Sequence, residues 1–269
     1  MNNDELRKIW DDRAENHAAR KRSSTNNHSG KLYHESWWRH IEPLLPKFPN
    51  GKVLEAGCGT GRWAEHLVPM GFALTCSDLS PGMLAKAQED ADRKGLTDNT
   101  TFEVLDVCDL HPFENASFDM VISTGEPISL CSDPKKAIGE YCRVVRPGGY
   151  VLCDAGNKYR NAFDMFRDKP SADFMHTLET GEFSSKGNMD LHLFGPTELT
   201  DTFENFGMKI HTLAGLTPML TFPPSAKTNA AMEDIATTQA LEKLERDYAT
   251  HPEVIALSNR LIVVAQKTL

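Results

Sequence analysis

The chain has no long apolar run. Nothing in its 269 residues approaches the roughly 20 apolar residues of a membrane-spanning helix, and the polar opening residues carry no segment of signal-peptide type. A soluble protein of the cytoplasm is therefore expected, with no membrane partner. Cysteine pairing is also missing: the six cysteines, Cys58, Cys76, Cys108, Cys131, Cys142 and Cys153, contain no C-x-x-C, so free thiols are expected rather than a disulfide framework or a thiolate metal site. The 10 histidines are scattered, with no H-x-x-x-H pair on an expected helix, so no metal centre is expected. Basic charge is short as well. A net charge of −9 leaves no large phosphate-binding face and argues against a nucleic-acid partner. The brief cluster Arg20-Lys21-Arg22, flanked by Ser, Thr and Asn, reads as a solvated segment.

What is present is a glycine loop. In Val53-Leu54-Glu55-Ala56-Gly57-Cys58-Gly59-Thr60-Gly61-Arg62, an apolar strand runs into three glycines at alternate positions and a helix pattern follows. Gly57, Gly59 and Gly61 can take positive φ and let a ligand approach bare backbone, while the helix start presents unpaired N–H groups. Two nucleotide motifs fail on spacing. The dinucleotide fingerprint needs glycine where Arg62 stands, and the phosphate loop needs Lys followed by Ser or Thr.

Downstream segments repeat the alternation of strand and helix. Ala73 to Asp78 is a second strand ending in an acid; a carboxylate there suits two vicinal ribose hydroxyls, although with Ser80-Pro81 behind it Asp78 also fits a helix start. Thr101 to Asp106 is a third strand, and Ser117 to Ser123 a fourth. Taken alone, Asp106 reads as a turn residue. Asp133-Pro134 opens a helix with Ala137, Ile138, Tyr141, Val144 and Val145 at helical spacing, and Arg146-Pro147-Gly148-Gly149 turns it into the strand Tyr150 to Asp154.

The pattern E-x-G-C-G-T-G resembles motif I of the class I S-adenosylmethionine-dependent methyltransferases, with Cys58 at a position where that family often has cysteine. The stretch from Asp106 through Leu110-His111-Pro112-Phe113 to Phe118-Asp119-Met120-Val121, and the ending R-x-x-R-P-G-G-Y, are similar to later motifs of the same family. The resemblance is strong from Gly51 to about Asp154 and loose over the last strands. It implies S-adenosyl-L-methionine as cofactor, leaving S-adenosyl-L-homocysteine as product. The residues it implies are Glu55, Gly57, Cys58, Gly59, Gly61, Asp78, Leu79, Met83, Asp106, Val107 and Ser123. Asp106 would accept from the adenine amino group and the Val107 N–H would meet a ring nitrogen.

The expected fold is α/β: a Rossmann-like open sheet of seven strands, the last antiparallel, with helical cap insertions at about 157–194 and 216–258 on a domain spanning 51–269. The last strands read as Met208 to Leu213 and Arg260 to Lys267, with a helix over Asn229 to Tyr248. Residues 1–50 read as two helices around a polar segment, Ser23 to Gly30. Leu6, Ile9, Trp10, Arg13, Ala14 and His17 share one face of the first; Trp37, Ile41, Leu44 and Leu45 form the core stripe of the second. A helical lid over the methyl donor and plain packing on the sheet are both open readings. The expected activity is methyl transfer to a small-molecule acceptor. A non-catalytic S-adenosylmethionine or nucleotide binder and a macromolecule methyltransferase are the alternatives. If the acceptor must shed a proton, His34, His192, Glu126 or Tyr159 could take it, with Glu126 also readable as a border of the cofactor. Tyr33, Tyr159 and Arg160 are the expected substrate contacts.

Overall fold

The computed structural model describes residues 2–24, 28–168, 173–184, 189–218 and 234–269. Its centre is a seven-stranded sheet in the order β3-β2-β1-β4-β5-β9-β8, built from β1 (Lys52–Ala56), β2 (Ala73–Asp78), β3 (Thr100–Val104), β4 (Phe118–Ser123), β5 (Val145–Gly156), β8 (Met208–Leu216) and β9 (Arg260–Lys267). Neighbours from β3 through β5 are parallel, and β9 is antiparallel to both β5 and β8. Seven strands with an antiparallel last strand match the expected layout, though that strand sits inside the sheet rather than at its edge.

Side chains alternate between two covered faces, as the period of a strand requires. Leu54, Val121, Val151 and Val263 join one cluster with Ile138, Tyr141, Leu199 and Phe203 of α6 (Pro134–Val144) and α9 (Pro196–Asn205). Val53, Ile122, Leu152 and Ile262 join the other with Trp37 and Ile41 of α2 (His28–Ile41), Trp63 just ahead of α3 (Ala64–Leu67), Leu67 of α3 and Leu84 of α4 (Pro81–Lys94). Trp37 is fully buried there, as its spacing predicts.

Local chemistry sets the helix ends. The Ser80 hydroxyl accepts from Met83 N at 3.0 Å, Pro81 fills the first turn of α4, and Gly95 closes it in the left-handed region. The Asp133 carboxylate accepts from Lys136 N at 3.0 Å and Pro134 opens α6. Ahead of the sheet, α1 (Asn3–Ser24) lies along α4, burying Leu6, Ala14 and Ala18. The polar segment read over Ser23 to Gly30 is largely helical at both ends, with residues 25–27 outside the described residues.

After β5 the chain forms α7 (Lys158–Asp168), α8 (Asp173–Thr180) and a hairpin of β6 (Glu182–Ser184) with β7 (Asp190–His192), where no strand is expected from the sequence. Each hairpin strand is three residues long, too short for alternation to show. The helix read over Asn229 to Tyr248 is α10 (Ile235–Tyr248); its expected opening, and the insertion through 219–233, lie outside the described residues. A final turn, α11 (Pro252–Ile255), precedes β9. No helix among the described residues is long and apolar enough to cross a membrane.

Candidate active site

The strand order reverses between β1 and β4, and such a reversal opens a crevice at the carboxyl ends of parallel strands. A cavity of about 380 Å³ occupies it. Its floor comes from the loop after β1 (Gly57, Cys58, Gly59, Thr60, Arg62), the loop after β2 (Asp78, Leu79) with Met83 of α4, and the turn after β3 (Asp106, Val107). The far wall is Thr124, Gly125, Cys131 and, from α5 (Pro127–Leu130), Pro127 and Leu130, with Arg260 from β9, and α1 and α2 roof it with Leu6, Trp10, His17, Lys21 and Tyr33.

The loop after β1 is held from beneath. Glu55, almost fully buried, accepts from Arg62 N at 3.0 Å and Trp63 N at 3.4 Å; burial pushes its carboxyl up, and those N–H groups oppose the shift. It braces the loop and does not reach the cavity wall. Gly57 has φ +65°, and a Cβ there would stand 2.5 Å from Pro127 Cγ, so the close approach of the two loops requires glycine. Gly61 faces α4, where a Cβ would meet Ala87 at 3.2 Å, instead of the cavity.

Asp78 is oriented by two backbone donors. Gly59 N gives to Oδ2 at 2.8 Å and Ser80 N to Oδ1 at 2.9 Å. Each carboxylate oxygen has a second lone pair, so two acceptors stay side by side on the cavity wall, the match for a vicinal diol. Burial pushes this carboxyl up, against the two N–H bonds. One turn away, Asp106 accepts Cys108 N on Oδ1 at 2.9 Å and Asn3 Nδ2 of α1 on Oδ2 at 2.6 Å. The backbone N–H of buried Val107 gives to no described group. A carboxylate beside an unpaired N–H presents an acceptor and a donor, the complement of an adenine edge. An adenosyl ligand fits these residues.

Behind the far wall lies a buried charge cluster. Arg260 pairs through Nε with Glu126 and through Nη1 with Asp154 at 3.2 Å, while Asp154 Oδ1 accepts from Gly125 N at 2.8 Å and Glu126 N at 3.0 Å. Burial raises both carboxyls and Arg260 opposes it; burial also works against the Arg260 cation, but the two carboxylates outweigh it and raise the guanidinium. Burial and nearby Asp154 push the Tyr33 phenol up, and the Arg62 guanidinium lies 4.8 Å from the centre of its ring.

The remaining expected residues sit elsewhere. Ser123 is fully buried and hydrogen-bonds Tyr141 Oη at 2.9 Å inside the sheet's core, because strand alternation turns it away from the cavity. His34 faces a neighbouring cavity of about 480 Å³, which meets the first at Lys21, Gly30 and Arg62. Its ring is 4.4 Å from that of His66; burial lowers both imidazoles, and each is neutral near pH 7. His192 is on β7, edge-on to Phe194 and 3.5 Å from Glu198. Arg160 gives to Asp164 at 2.8 Å and Leu257 O at 2.9 Å, and Tyr159 is exposed on α7 beside Gly195. Neither lines the cavity. All six cysteines are free thiols, and no group of three or more metal-ligating side chains occurs among the described residues.

Sequence reasoning passed over Thr60, Arg62, Thr124, Pro127, Leu130 and Arg260. Thr60, inside the glycine loop, and Arg62, next to it, carried a positional signal. Lys21 and His17 were within reach: along α1 Leu6, Ala14 and Ala18 are buried and Trp10, His17 and Lys21 partly so, the helical period seen in its sequence.

An open, mainly parallel sheet with a glycine loop after its first strand and acids after its second and third has the layout of nucleotide-binding α/β folds. Residues 53–149 match the family model described as a methyltransferase domain. A demethylmenaquinone methyltransferase of Leptospira interrogans is 33% identical over 141 residues, 51% of this chain and 56% of that protein. A malonyl-[acyl-carrier protein] O-methyltransferase of Erwinia billingiae is 40% identical over 101 residues, 38% of this chain and 37% of its own length. The match thus spans little more than half the length of the first relative and little more than a third of the second. Among solved structures, a methyltransferase of Haloferax volcanii, in complex with the Trm112 methyltransferase activator, superposes with a TM-score of 0.60 over 97% of this chain and 98% of its own, at 21% identity. The likeness to a methyltransferase domain thus covers residues 53–149, and the likeness of fold extends over the rest of the chain.

Proposed function

We propose that this protein transfers the methyl group of S-adenosylmethionine to a small-molecule acceptor. The observation that carries the reading is the trio around the 380 Å³ cavity: Asp78 with two spare acceptor sites, Asp106 with its own, and the unpaired Val107 N–H. In this reading Asp78 takes the two ribose hydroxyls, Asp106 and Val107 read the adenine, and Gly57 and Gly59 let the amino-acid tail lie against backbone. The bound cofactor supplies a methyl group made electrophilic by its sulfonium.

The protein's task is then alignment and exclusion of water. Leu6, Trp10, Met83, Leu130 and Cys131 give the cavity an apolar lining, and alignment of two reactants can supply about 7–11 kcal/mol of the barrier. Residues 1–50 act as a lid on the domain 51–269, with α1 as its roof. The acceptor occupies the adjoining 480 Å³ cavity, where neutral His34 can take up a proton. Glu126, held by Arg260, shapes the wall instead of serving as base. The two relatives are named for demethylmenaquinone and for malonyl on acyl-carrier protein; both names favour a small organic group as acceptor. The acidic balance of the chain supports a small acceptor over RNA.

Titration with S-adenosylhomocysteine, followed by incubation with methyl-labelled S-adenosylmethionine and separate metabolite, RNA and protein fractions, tests the assignment. Saturable binding and label in low-mass products are expected. Label confined to RNA or protein removes the small acceptor, and tight NAD binding with no response to S-adenosylhomocysteine removes the methyl donor.

A further inference from the structure

The carboxylate of Asp106 is not left to orient itself. Its Oδ1 is fixed by Cys108 N, two residues on in the same turn, but its Oδ2 is met at 2.6 Å by Asn3 Nδ2, from the first turn of α1 and 103 residues away in sequence. A carboxylate only accepts, so Asn3 must turn its amide nitrogen toward it, and a charge-assisted bond of this length is among the stronger neutral-to-ion contacts. The cavity persists with α1 in this position, and Leu6 and Trp10, one and two turns further along the helix, line it. The helix therefore roofs the space without filling it.

The rest of α1 is fastened independently of Asp106. The Asp11 carboxylate accepts from Ser80 Oγ at 2.5 Å and Gly82 N at 2.8 Å, placing a negative charge at the N-terminus of α4. Further along, Lys21 pairs with Asp90 at 2.8 Å and gives to Thr60 O at 3.0 Å. Those contacts suffice to dock the helix. The bond from Asn3 does something they do not, because it reaches the one side chain that the proposed function assigns to the adenine amino group.

We infer that Asn3 is a positioning residue that holds the Asp106 carboxylate in the orientation that reads the adenine amino group, so that selectivity for adenine depends on α1 being closed. The inference rests on the methyl-donor assignment of the cavity. With both oxygens pinned, the remaining lone pairs of Asp106 keep one direction. Without Asn3 the carboxylate swings about its Cβ–Cγ bond and meets an amino group and a carbonyl with less discrimination.

The test is a comparison of two ligands on the full chain. S-adenosylhomocysteine carries the amino group at the six position of its purine; S-inosylhomocysteine carries a carbonyl there and a proton on the neighbouring ring nitrogen, a second change that faces the Val107 N–H in every variant alike and so leaves the change in ratio between variants to report on Asp106. Calorimetric affinities for both are measured on the wild type, Asn3→Ala, Asn3→Asp and Asp11→Asn, with thermal melts to show that each variant folds. The wild type is expected to favour the adenosyl ligand, and both Asn3 variants to lose about tenfold of that ratio, about 1.4 kcal/mol. Asp11→Asn, which loosens α1 and with it the reach of Asn3, is expected to weaken both ligands and to lower the ratio in the same direction; a ratio kept at the wild-type value there overturns the dependence of selectivity on α1 closure. An unchanged ratio in Asn3→Ala, or tighter binding of S-adenosylhomocysteine by that variant, overturns the positioning role. A wild type that binds neither ligand removes the methyl-donor assignment itself, a result distinct from an unchanged ratio.

Discussion

Replacing Arg260 by methionine keeps most of the side chain's length and removes its charge. The two carboxylates it pairs with, Glu126 and Asp154, are then left close together without a cation, Asp154 fully buried and the Glu126 side chain 15% exposed. Breaking a buried pair by deleting one partner costs about 3–5 kcal/mol. The Arg260 side chain is 31% exposed, so water screens part of the interaction and the lower end, about 3 kcal/mol, is expected at neutral pH. Measured against a typical domain stability of about 5–15 kcal/mol, that is a large share. The loss should depend on pH. Both carboxyls already lie above the ordinary range because of burial, and without the cation they rise further. A raised folded-state value means stability that is fully present below the unfolded-state carboxyl value and lost as pH climbs through the folded one. Urea unfolding of Arg260→Met beside the wild type should thus show a larger deficit at pH 8 than at pH 5. Adding Glu126→Gln should recover part of it at pH 8, since a neutral amide needs no cation. A deficit below about 1 kcal/mol, or one identical at both pH values, refutes the argument that Arg260 neutralises the pair.

Asp78→Asn puts an amide where two N–H groups now give to a carboxylate, and removes one ribose acceptor; S-adenosylhomocysteine should bind at least about tenfold more weakly by calorimetry, and an affinity within twofold of wild type rejects the ribose role. Gly57→Ala forces a left-handed φ and a Cβ 2.5 Å from Pro127, so it should lower stability by about 1–3 kcal/mol in urea and weaken ligand binding; wild-type behaviour in both would show that the loops can separate. The Asp90 carboxyl is held at about 2 because the bonds from Lys21 and Lys94 outweigh its burial. Its pairing contributes stability that is complete above the ordinary carboxyl range and lost as pH falls through about 2, so between pH 4 and 2 Asp90→Asn should lose less stability than the wild type.

Much of this site was written locally. The glycine loop, Asp78, Leu79, Met83, Asp106 and Val107 each lie next to the strand end that presents them, and strand ends are legible from alternation and turn residues. The sheet was legible for the same reason, except that β5 begins at Val145, five residues before Tyr150, because a bulge opposite Phe118 to Met120 lets Gly148 and Gly149 run within it. What escaped depends on distant partners. Ser123 sits at the right place in sequence but on the wrong side of its strand, against Tyr141. Asp154 ends the strand that the sequence shows, yet nothing near it foretells Arg260, 106 residues on. The face of α1 shows in its period, whereas the polar bonds of Asn3 to Asp106 and of Asp11 to Gly82, 103 and 71 residues away, leave no local trace.

The placement of β9 has a consequence for biosynthesis. On a ribosome the five parallel strands emerge first, and until Arg260–Lys267 follows them, β5 offers an unclaimed rim of backbone beside buried Val151, Cys153 and Ala155. An unclaimed rim of that kind recruits other chains. Nascent protein halted short of residue 260 should therefore be sticky and depend on chaperones, and it would also lack the guanidinium that neutralises the acids behind its crevice.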